Sequence, residues 1–221
     1  MLATPPTPVL PEPTRRPAVV AVSLAGAALG VLAVRYAGVE GPSWFDTSVE
    51  GQIRSGADPV RSQLRAFVRM GSPPQVLLMT IVLGVVGFAA RRPRLALVVL
   101  AGPPATGLVT TALQPLIGRT LEGGFALPSG HAGGATSVAI AAALVVLHLV
   151  PKRARTPVAV VAGFGVLAVW SAITVALVAN GLHYASDTVA SLCAAVVVVL
   201  GIPLAVDHLA GRFRTGRDSA V

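Results

Sequence analysis

Long apolar runs dominate the chain and alternate with short basic connections. A helix needs about 20 mostly apolar residues to cross the hydrocarbon core of a bilayer. Inside a bilayer every backbone polar group must be satisfied within its own segment, so such runs form helices. Six runs approach this length, at residues 17–34, 75–90, 95–113, 131–150, 158–178 and 188–206. The pattern predicts an all-α, polytopic membrane protein built as a bundle of six transmembrane helices.

The segments that flank these runs differ from them in composition. Residues 1–16 are rich in proline and lack a core-forming pattern, so we predict a disordered N-terminal tail. Residues 17–207 are predicted to form the membrane domain, and residues 208–221 a basic tail. The first run follows Arg15 and Arg16, as the apolar region of a signal peptide would. Cleavage there would spoil the alternation of basic connections, so we expect an uncleaved helix.

Basic residues fall on alternate connections, which predicts the orientation of the chain. Cytoplasmic connections of membrane proteins carry an excess of Lys and Arg. The clusters are Arg15 and Arg16; Arg91, Arg92 and Arg94; Lys152, Arg153 and Arg155; and Arg212, Arg214 and Arg217. With six crossings all four clusters lie on one side, so both termini are predicted to be cytoplasmic. The connections near residues 39–74, 114–130 and 179–187 are then expected to face outward.

The composition excludes soluble classes of protein. Hydrophobic residues make up 54% of the chain, charged residues only 12%, and the mean hydropathy is +0.76. Soluble domains carry about 25% charged residues, so this chain has too few to cover a surface that faces water. Cys193 is the single cysteine and cannot form a disulfide within the chain. The net charge of +8 arises mainly from the orienting clusters, so we expect contacts with membrane lipids and no nucleic-acid partner.

The first outward connection has apolar residues at helical spacing. Its arginines are largely balanced by nearby aspartate and glutamate residues. The spacing predicts an amphipathic helix that lies on the bilayer surface with its charges solvated. The apolar positions are Ile53, Val60, Leu64, Phe67 and Val68.

Four histidines are present, and their positions separate them into two pairs. His148 and His208 lie at the inner ends of predicted helices beside basic clusters, where amphipathic side chains are common. His131 and His183 lie at the outer ends of two other helices, at the same predicted depth. Two histidines on one face of the membrane suit general acid–base or covalent chemistry.

His131 closes the segment Pro128-Ser129-Gly130-His131 at the predicted start of the fourth helix. The start of a helix offers unpaired backbone N–H groups and the positive end of the helix dipole. Gly130 permits close approach of a ligand, and Ser129 can cap the helix or donate its hydroxyl to an anion. The segment favours a bound phosphate or carboxylate, while an ordinary capping turn beside an interfacial histidine stays open.

Asp187 follows His183 by four residues, the spacing that places two side chains on one face of a helix. Its carboxylate could fix the tautomer of the imidazole and leave the other ring nitrogen as a nucleophile or base. A His–Asp pair used only for helix packing is the alternative. Two histidines and an aspartate could also bind zinc, with Glu122 nearby. The Ser-Gly turn favours an anion over a cation, so no metal and no cofactor are predicted.

These motifs resemble those of the type 2 phosphatidic acid phosphatases, also called lipid phosphate phosphatases. The resemblance extends from about Phe45 to Val206 and rests on the Pro-Ser-Gly-His turn and the downstream His-x-x-x-Asp. It implies a metal-independent phosphatase in which His183 attacks phosphorus, Asp187 orients it and His131 protonates the leaving oxygen. It also implies that Ser129 and the backbone N–H of Gly130 bind the phosphoryl oxygens.

The chain departs from the family pattern at its cationic positions. The family's first motif has a Lys and an Arg where this chain has Gln114 and Leu121, and only Arg119 remains there. A further Ser-Arg pair is replaced by Ala176-Leu177. We expect Arg119, Gln114, Asn180 and Tyr184 to supply hydrogen bonds to the substrate, or an arginine of the first outward connection to fold over the site.

The sequence therefore predicts a membrane-embedded lipid phosphatase at the outer face of the cell membrane. Its expected substrate is a polyprenyl or glycerolipid phosphate or diphosphate. A catalytically weak or inactive member of the family that binds lipid phosphates is the alternative. The preference for Arg over Lys, with abundant Ala, Val and Gly, indicates a GC-rich bacterial genome.

Overall fold

The computed structural model describes residues 8–218 and shows eight helices among them. Short 3-10 turns at Asp58–Val60, Arg69–Gly71 and Lys152–Ala154 link some of the helices, and strands β1 (Thr120–Leu121) and β2 (Gly124–Phe125) form one antiparallel pair. The helices are α1 (Glu12–Arg35), α2 (Trp44–Ala57), α3 (Arg61–Val68), α4 (Pro73–Ala89), α5 (Pro93–Ile117), α6 (Gly130–Leu149), α7 (Arg155–Ala179) and α8 (Ala185–Asp218).

The predicted class, an all-α bundle with six membrane crossings, is confirmed with one qualification about the second crossing. Helices α1, α5, α6, α7 and α8 are each long and apolar enough to span a bilayer. Helix α4 has only 17 residues. Together with the preceding segment Arg61–Gly71, from which it is bent by 57°, it is long and apolar enough to be a sixth candidate span.

The N-terminal segment differs from the prediction. Helix α1 begins at Glu12, and the backbone N–H groups of Val9 and Leu10 donate to the two carboxylate oxygens of Asp207, each at 2.9 Å. Proline in the first turn suits a helix start because its missing N–H would be unpaired there anyway. The prediction of disorder is therefore wrong for residues 8–16, and residues 1–7 lie outside the described residues. At the other end, α8 continues to Asp218 through most of the predicted tail.

Helix α6 occupies the centre of the bundle. Two thirds of its span is buried (67%), against 6% for α1, which lies at the periphery. Glycines allow the neighbouring helices to approach, as expected where helix association depends on close packing rather than on the exclusion of water. A Cβ atom on Gly134 would lie 2.8 Å from the side chain of Val76 in α4, and one on Gly133 would lie 3.2 Å from Thr110 in α5.

The two ends of the bundle differ in charge. We call the end that carries His131 and His183 the histidine end. The opposite end, the basic end, gathers the start of α1 and the end of α8 through the contact with Asp207. Arg92 of the α4–α5 connection and His148 of α6 also line one cavity there. The basic cluster of the α4–α5 connection thus lies at the same end as the start of α1.

Helix α3 does not lie as the sequence pattern predicts. Its apolar residues Leu64, Phe67 and Val68 pack on Ala132 of α6 and on α7. The prediction of a helix resting on the bilayer surface is wrong for these three residues, which cover protein, whereas Val60 of the predicted stripe is 45% exposed. The α1–α4 connection therefore folds over the histidine end.

The turn between α3 and α4 has room only for glycine at position 71. A Cβ atom there would lie 2.3 Å from the backbone oxygen of His131. Because the obstacle is backbone, we expect Gly71→Ala to lower the free energy of unfolding by about 1–3 kcal/mol. Thermal unfolding in detergent measures the change. Gly51→Ala in α2 is the control, since among the described residues no atom lies within 4 Å of its added Cβ. Equal melting temperatures for the two variants would contradict the prediction.

Candidate active site

The sequence motifs converge at the histidine end of the bundle. His131 is the second residue of α6, His183 lies in the α7–α8 loop, and Asp187 lies in the first turn of α8. The backbone N–H of Ser129, two residues before His131, donates to the backbone oxygen of Asp187 at 3.2 Å, and Oδ2 of Asp187 lies 3.4 Å from Nδ1 of His183. The structure thus brings together the three side chains that the sequence singled out for chemistry.

His183 faces Asp187 through one ring nitrogen. Nδ1 lies 3.4 Å from Oδ2 of Asp187, without the alignment of a hydrogen bond in this structure. The same Oδ2 accepts the backbone N–H of Tyr184 at 2.9 Å. Asp187 is fully buried, whereas the side chain of His183 is 14% exposed. The ring therefore has one nitrogen directed to a carboxylate and keeps an accessible edge for a reacting group.

The turn before α6 is joined to the start of α8. The hydroxyl of Ser129 caps α6 by accepting the N–H of Ala132 at 3.3 Å, and the Ser129 N–H donates to the backbone oxygen of Asp187 at 3.2 Å. Ser191 donates its hydroxyl to the backbone oxygens of Ser129 at 2.8 Å and Asp187 at 2.7 Å. Ser129 is fully buried. Gly130 is partly exposed, and no described atom lies within 4 Å of its Cβ position.

Arg119 is turned away from the space beside the histidines. Its guanidinium has no exposed surface, and Nη1 donates to Asp187 Oδ1 at 2.8 Å while Nη2 donates to Asp46 Oδ2 at 2.7 Å. The rings of Tyr36 and Tyr184 lie on the guanidinium with centroids 4.1 Å and 4.4 Å from its central carbon. Burial raises the pKa of Tyr184, although the Arg119 charge acts in the opposite direction. Carboxylates occupy both terminal nitrogens of Arg119, and its predicted contact with substrate stays a prediction.

Asp46 is a site residue that the sequence patterns did not reveal. It lies in the first turn of α2 and is 1% exposed. Its Oδ1 accepts the backbone N–H and hydroxyl of Ser186, and its Oδ2 accepts the same two groups of Ser43 as well as Arg119. Burial alone would raise the pKa of Asp46, but the hydrogen bonds from Ser186 and Ser43 hold it below its ordinary value. The spacing Ser43-x-x-Asp46 resembles a helix-capping pattern, which signals a helix start and not a partner for Arg119.

Gln114 and Asn180 bond to protein groups near the histidines. Gln114 donates its side-chain N–H to the backbone oxygen of Pro128 at 3.0 Å and so supports the turn before α6. Asn180 donates to Ala176 at 2.9 Å and accepts from Nε of Arg65 at 3.3 Å. Their predicted contacts with substrate stay predictions.

Apolar packing fills two of the positions where the family pattern has a polar and a cationic residue. Ala176 and Leu177 are fully buried against Val68 of α3. Leu121 lies in β1 and is partly buried. No side chain at these positions can bind a phosphate.

Arginines of the α1–α4 connection border the loop that carries His183. Arg65 of α3 bonds to Asn180. Arg54 of α2 pairs with Glu50 at 2.7 Å, and its Nη2 lies 3.2 Å from the Cβ position of Gly181. Both arginines thus reach residues within three positions of His183. This placement follows from the docking of α3 on α6 and α7.

A metal site is the alternative interpretation of the two histidines and Asp187. Within the described part of the chain, no group of three or more His, Cys, Asp or Glu side chains is arranged to hold a metal ion. The arrangement of His131, His183 and Asp187 suits proton transfer and nucleophilic attack.

Removing the Arg119 charge tests how much the buried network stabilises the fold. Arg119→Met leaves two buried carboxylates without their cation, and we expect a loss of about 3–5 kcal/mol in the free energy of unfolding. Arg54→Met breaks the partly exposed pair with Glu50 and should change the free energy of unfolding by no more than about 1 kcal/mol. Unfolding in detergent, followed by circular dichroism, compares the two variants. Similar losses of stability in the two variants would contradict a stabilising role for the buried network around Arg119.

Comparisons with known proteins identify the family. A model of the PAP2 superfamily matches residues 75–209, more than half of the chain and a range that includes His131, His183 and Asp187. The crystal structure of a transmembrane PAP2-type phosphatidylglycerolphosphate phosphatase from Bacillus subtilis has the same fold, with a TM-score of 0.64 and 16% identity over 85% of this chain and 96% of that one. No curated protein sequence matches the chain. On the family match and the shared fold, the chain belongs to the PAP2 superfamily.

Proposed function

We propose that the protein is a lipid phosphatase that hydrolyses a lipid phosphate or diphosphate through a phosphohistidine on His183. The observation that carries the proposal is that Asp187, which faces His183, is hydrogen-bonded through its backbone oxygen to the turn before His131 at the start of α6. Membership of the PAP2 superfamily supports a phosphatase activity at the level of the family. The motifs that the sequence shares with lipid phosphate phosphatases include all three side chains.

In the first step, Nε2 of His183 attacks phosphorus. A nitrogen–phosphorus bond forms while the bond from phosphorus to the leaving oxygen breaks. Protonated His131 gives its proton to that oxygen, so the lipid alcohol, or the lipid monophosphate, leaves with this oxygen protonated. The phosphorylated imidazole becomes cationic, and the carboxylate of Asp187, 3.4 Å from Nδ1, stabilises it.

In the second step, water attacks the phosphohistidine. His131, now neutral, accepts a proton from the water as its oxygen bonds to phosphorus. The nitrogen–phosphorus bond breaks and returns its electron pair to His183. Backbone N–H groups at the start of α6, beside Gly130, are suited to stabilise the charge on the phosphoryl oxygens.

Arg65 and Arg54 are proposed to supply the positive charge that the family pattern places elsewhere in the chain. Their contacts with Asn180 and at Gly181 bring two guanidinium groups beside the loop of His183. Charge-assisted hydrogen bonds from arginine to phosphate are among the strong ones. Both side chains are exposed and can turn towards a bound phosphate.

The site is proposed to face the extracytoplasmic side of a bacterial cell membrane. The basic clusters lie at the opposite end of the bundle, and such clusters favour the cytoplasm. Both termini are then cytoplasmic, and lipid phosphates of the outer leaflet reach the histidine end. Polyprenyl and glycerolipid phosphates both fit this location, so both belong in the substrate panel.

A catalytically weak, lipid-phosphate-binding protein is the second candidate. The observation that favours it is the loss of cationic side chains: Arg119 is held by carboxylates, and Leu121 and Leu177 are apolar. In this alternative the histidine end binds a lipid phosphate without rapid turnover.

Phosphate release from purified protein distinguishes the candidates. With a chelator present, we expect release from at least one prenyl or glycerolipid phosphate, loss of release in His183→Ala, and a decrease of about 10²–10⁴-fold in His131→Ala. His208→Ala, at the basic end, is the control and should retain activity. No release from any substrate, with lipid phosphate still bound, would favour the second candidate. Activity lost to chelator and restored by zinc would overturn the metal-independent mechanism.

The proposed role of Arg65 is tested by its effect on kcat/KM. Loss of one charge-assisted bond to phosphate is worth about 1.5–3 kcal/mol, so Arg65→Ala should lower kcat/KM by about 10- to 100-fold. Arg65→Lys keeps the charge and should retain more activity. Arg153→Ala removes the same charge at the basic end and should have no effect. Equal values of kcat/KM for Arg65→Ala and Arg153→Ala would contradict a role for Arg65 in binding the substrate.

A further inference from the structure

A closed network of three charges lies behind His183. Asp46, Arg119 and Asp187 come from α2, from the residue before β1 and from α8, and each is at most 1% exposed. The guanidinium donates to one carboxylate at 2.7 Å and to the other at 2.8 Å. Two carboxylates and one guanidinium leave the network with a formal charge of −1.

Without Asp46, the charge of Asp187 would be cancelled by its own partner. Arg119 binds Oδ1 of Asp187, and a buried ion pair without net charge attracts a nearby cation weakly. The second carboxylate changes this balance, because Arg119 divides its attraction between Asp46 and Asp187. The rings of Tyr36 and Tyr184 lie on the guanidinium, which has no exposed surface, so water does not screen its charge.

The hydrogen bonds of Asp46 suit it to remain ionised in this buried position. Four N–H and O–H groups of Ser43 and Ser186 donate to its carboxylate, in addition to Arg119. Hydrogen bonds of this kind favour the charged form of a carboxyl group. Asp46 therefore contributes a permanent negative charge to the network.

We propose that Asp46 is a positioning residue that offsets the charge of Arg119, so that Asp187 keeps a net negative charge for the cationic form of His183. The proposal rests on the proposed function, because it is the phosphorylated, cationic imidazole that needs this charge. It also assigns Arg119 to the support of Asp187 and not to the substrate. Asp46 contacts neither His183 nor the substrate and acts through the other two members of the network.

Other charged groups also face the imidazole and set the background for a titration. His131 of α6 repels the protonated ring, and Arg65 of α3 and Arg54 of α2 border its loop. Asp187 attracts the protonated ring, and the phenol of Tyr184 lies on the network. All of these groups stay unchanged when only Asp46 or Arg119 is replaced.

Titration of the His183 ring by NMR in detergent micelles tests the proposal directly. The chain has only four histidines, and His183→Ala assigns the signal. Asp46→Asn removes one negative charge, so protonation of the ring is disfavoured and the titration midpoint should fall by about one pH unit. Glu40→Gln makes the same charge change at an exposed position nearby and should leave the midpoint in place.

The Arg119 variants test whether the titration midpoint of His183 follows the net charge of the network. Arg119→Gln makes the network more negative, and the midpoint should rise. Asp46→Asn combined with Arg119→Gln restores a network charge of −1, and the midpoint should return to the wild-type value. A merely structural role for Asp46 predicts that the double variant is more perturbed than either single variant, and that result would overturn the proposal. If Arg119→Gln fails to fold, the comparison of Asp46→Asn with the double variant still decides it.

Activity separates the failure of this proposal from the failure of the proposed function. In an active enzyme, Asp46→Asn should lower kcat about tenfold, the equivalent of one pH unit, with KM unchanged. If the wild-type protein releases no phosphate but the variants show the predicted midpoint shifts, the phosphatase mechanism is contradicted and the role of the charge network is retained. If the enzyme is active but the variants leave the midpoint unshifted, only the proposed role of the charge network is contradicted.

Discussion

A guanidinium group with no exposed surface requires carboxylate partners, and Arg119 finds them in Asp46 and Asp187. Breaking a buried ion pair by removing one partner costs about 3–5 kcal/mol, so the three residues must stay together in the folded state. Each belongs to a different segment of the chain. Their pairing fixes α2 and the start of α8 against the segment between α5 and α6, and the α7–α8 loop with His183 follows.

The use of Arg119 inside the protein shapes the rest of the site. Both terminal nitrogens are bound to carboxylates, so the proposed mechanism takes the positive charge for its substrate from other residues. Leu177 cannot provide it, since this residue forms the apolar surface on which α3 packs. The same packing carries Arg65 to Asn180 beside His183. The packing of α3 thus has two results. It places an apolar residue at position 177, and it brings arginines of the α1–α4 connection close to His183.

The sequence was sufficient to predict the crossings and the convergence of His131, His183 and Asp187, because apolar run length and local motifs are properties of neighbouring residues. It was not sufficient for Asp46, which lies 73 positions before its partner Arg119. Periodicity also could not place α3, since an apolar stripe looks the same whether it covers lipid or protein. The start of α1 was missed for a related reason, because it depends on Asp207 at the far end of the chain.

Polar contacts hold α1 at both ends, which explains how the least buried span keeps its place. Apolar helices in a bilayer gain little from exchanging lipid for protein, so packing and hydrogen bonds must specify their association. At its start, the N–H groups of Val9 and Leu10 bind Asp207 of α8. At its end, Tyr36 covers Arg119, which is itself bound to Asp187 of α8. Helix α1 is therefore tied to the two ends of a single partner, and its outer end is one wall of the charge network behind His183.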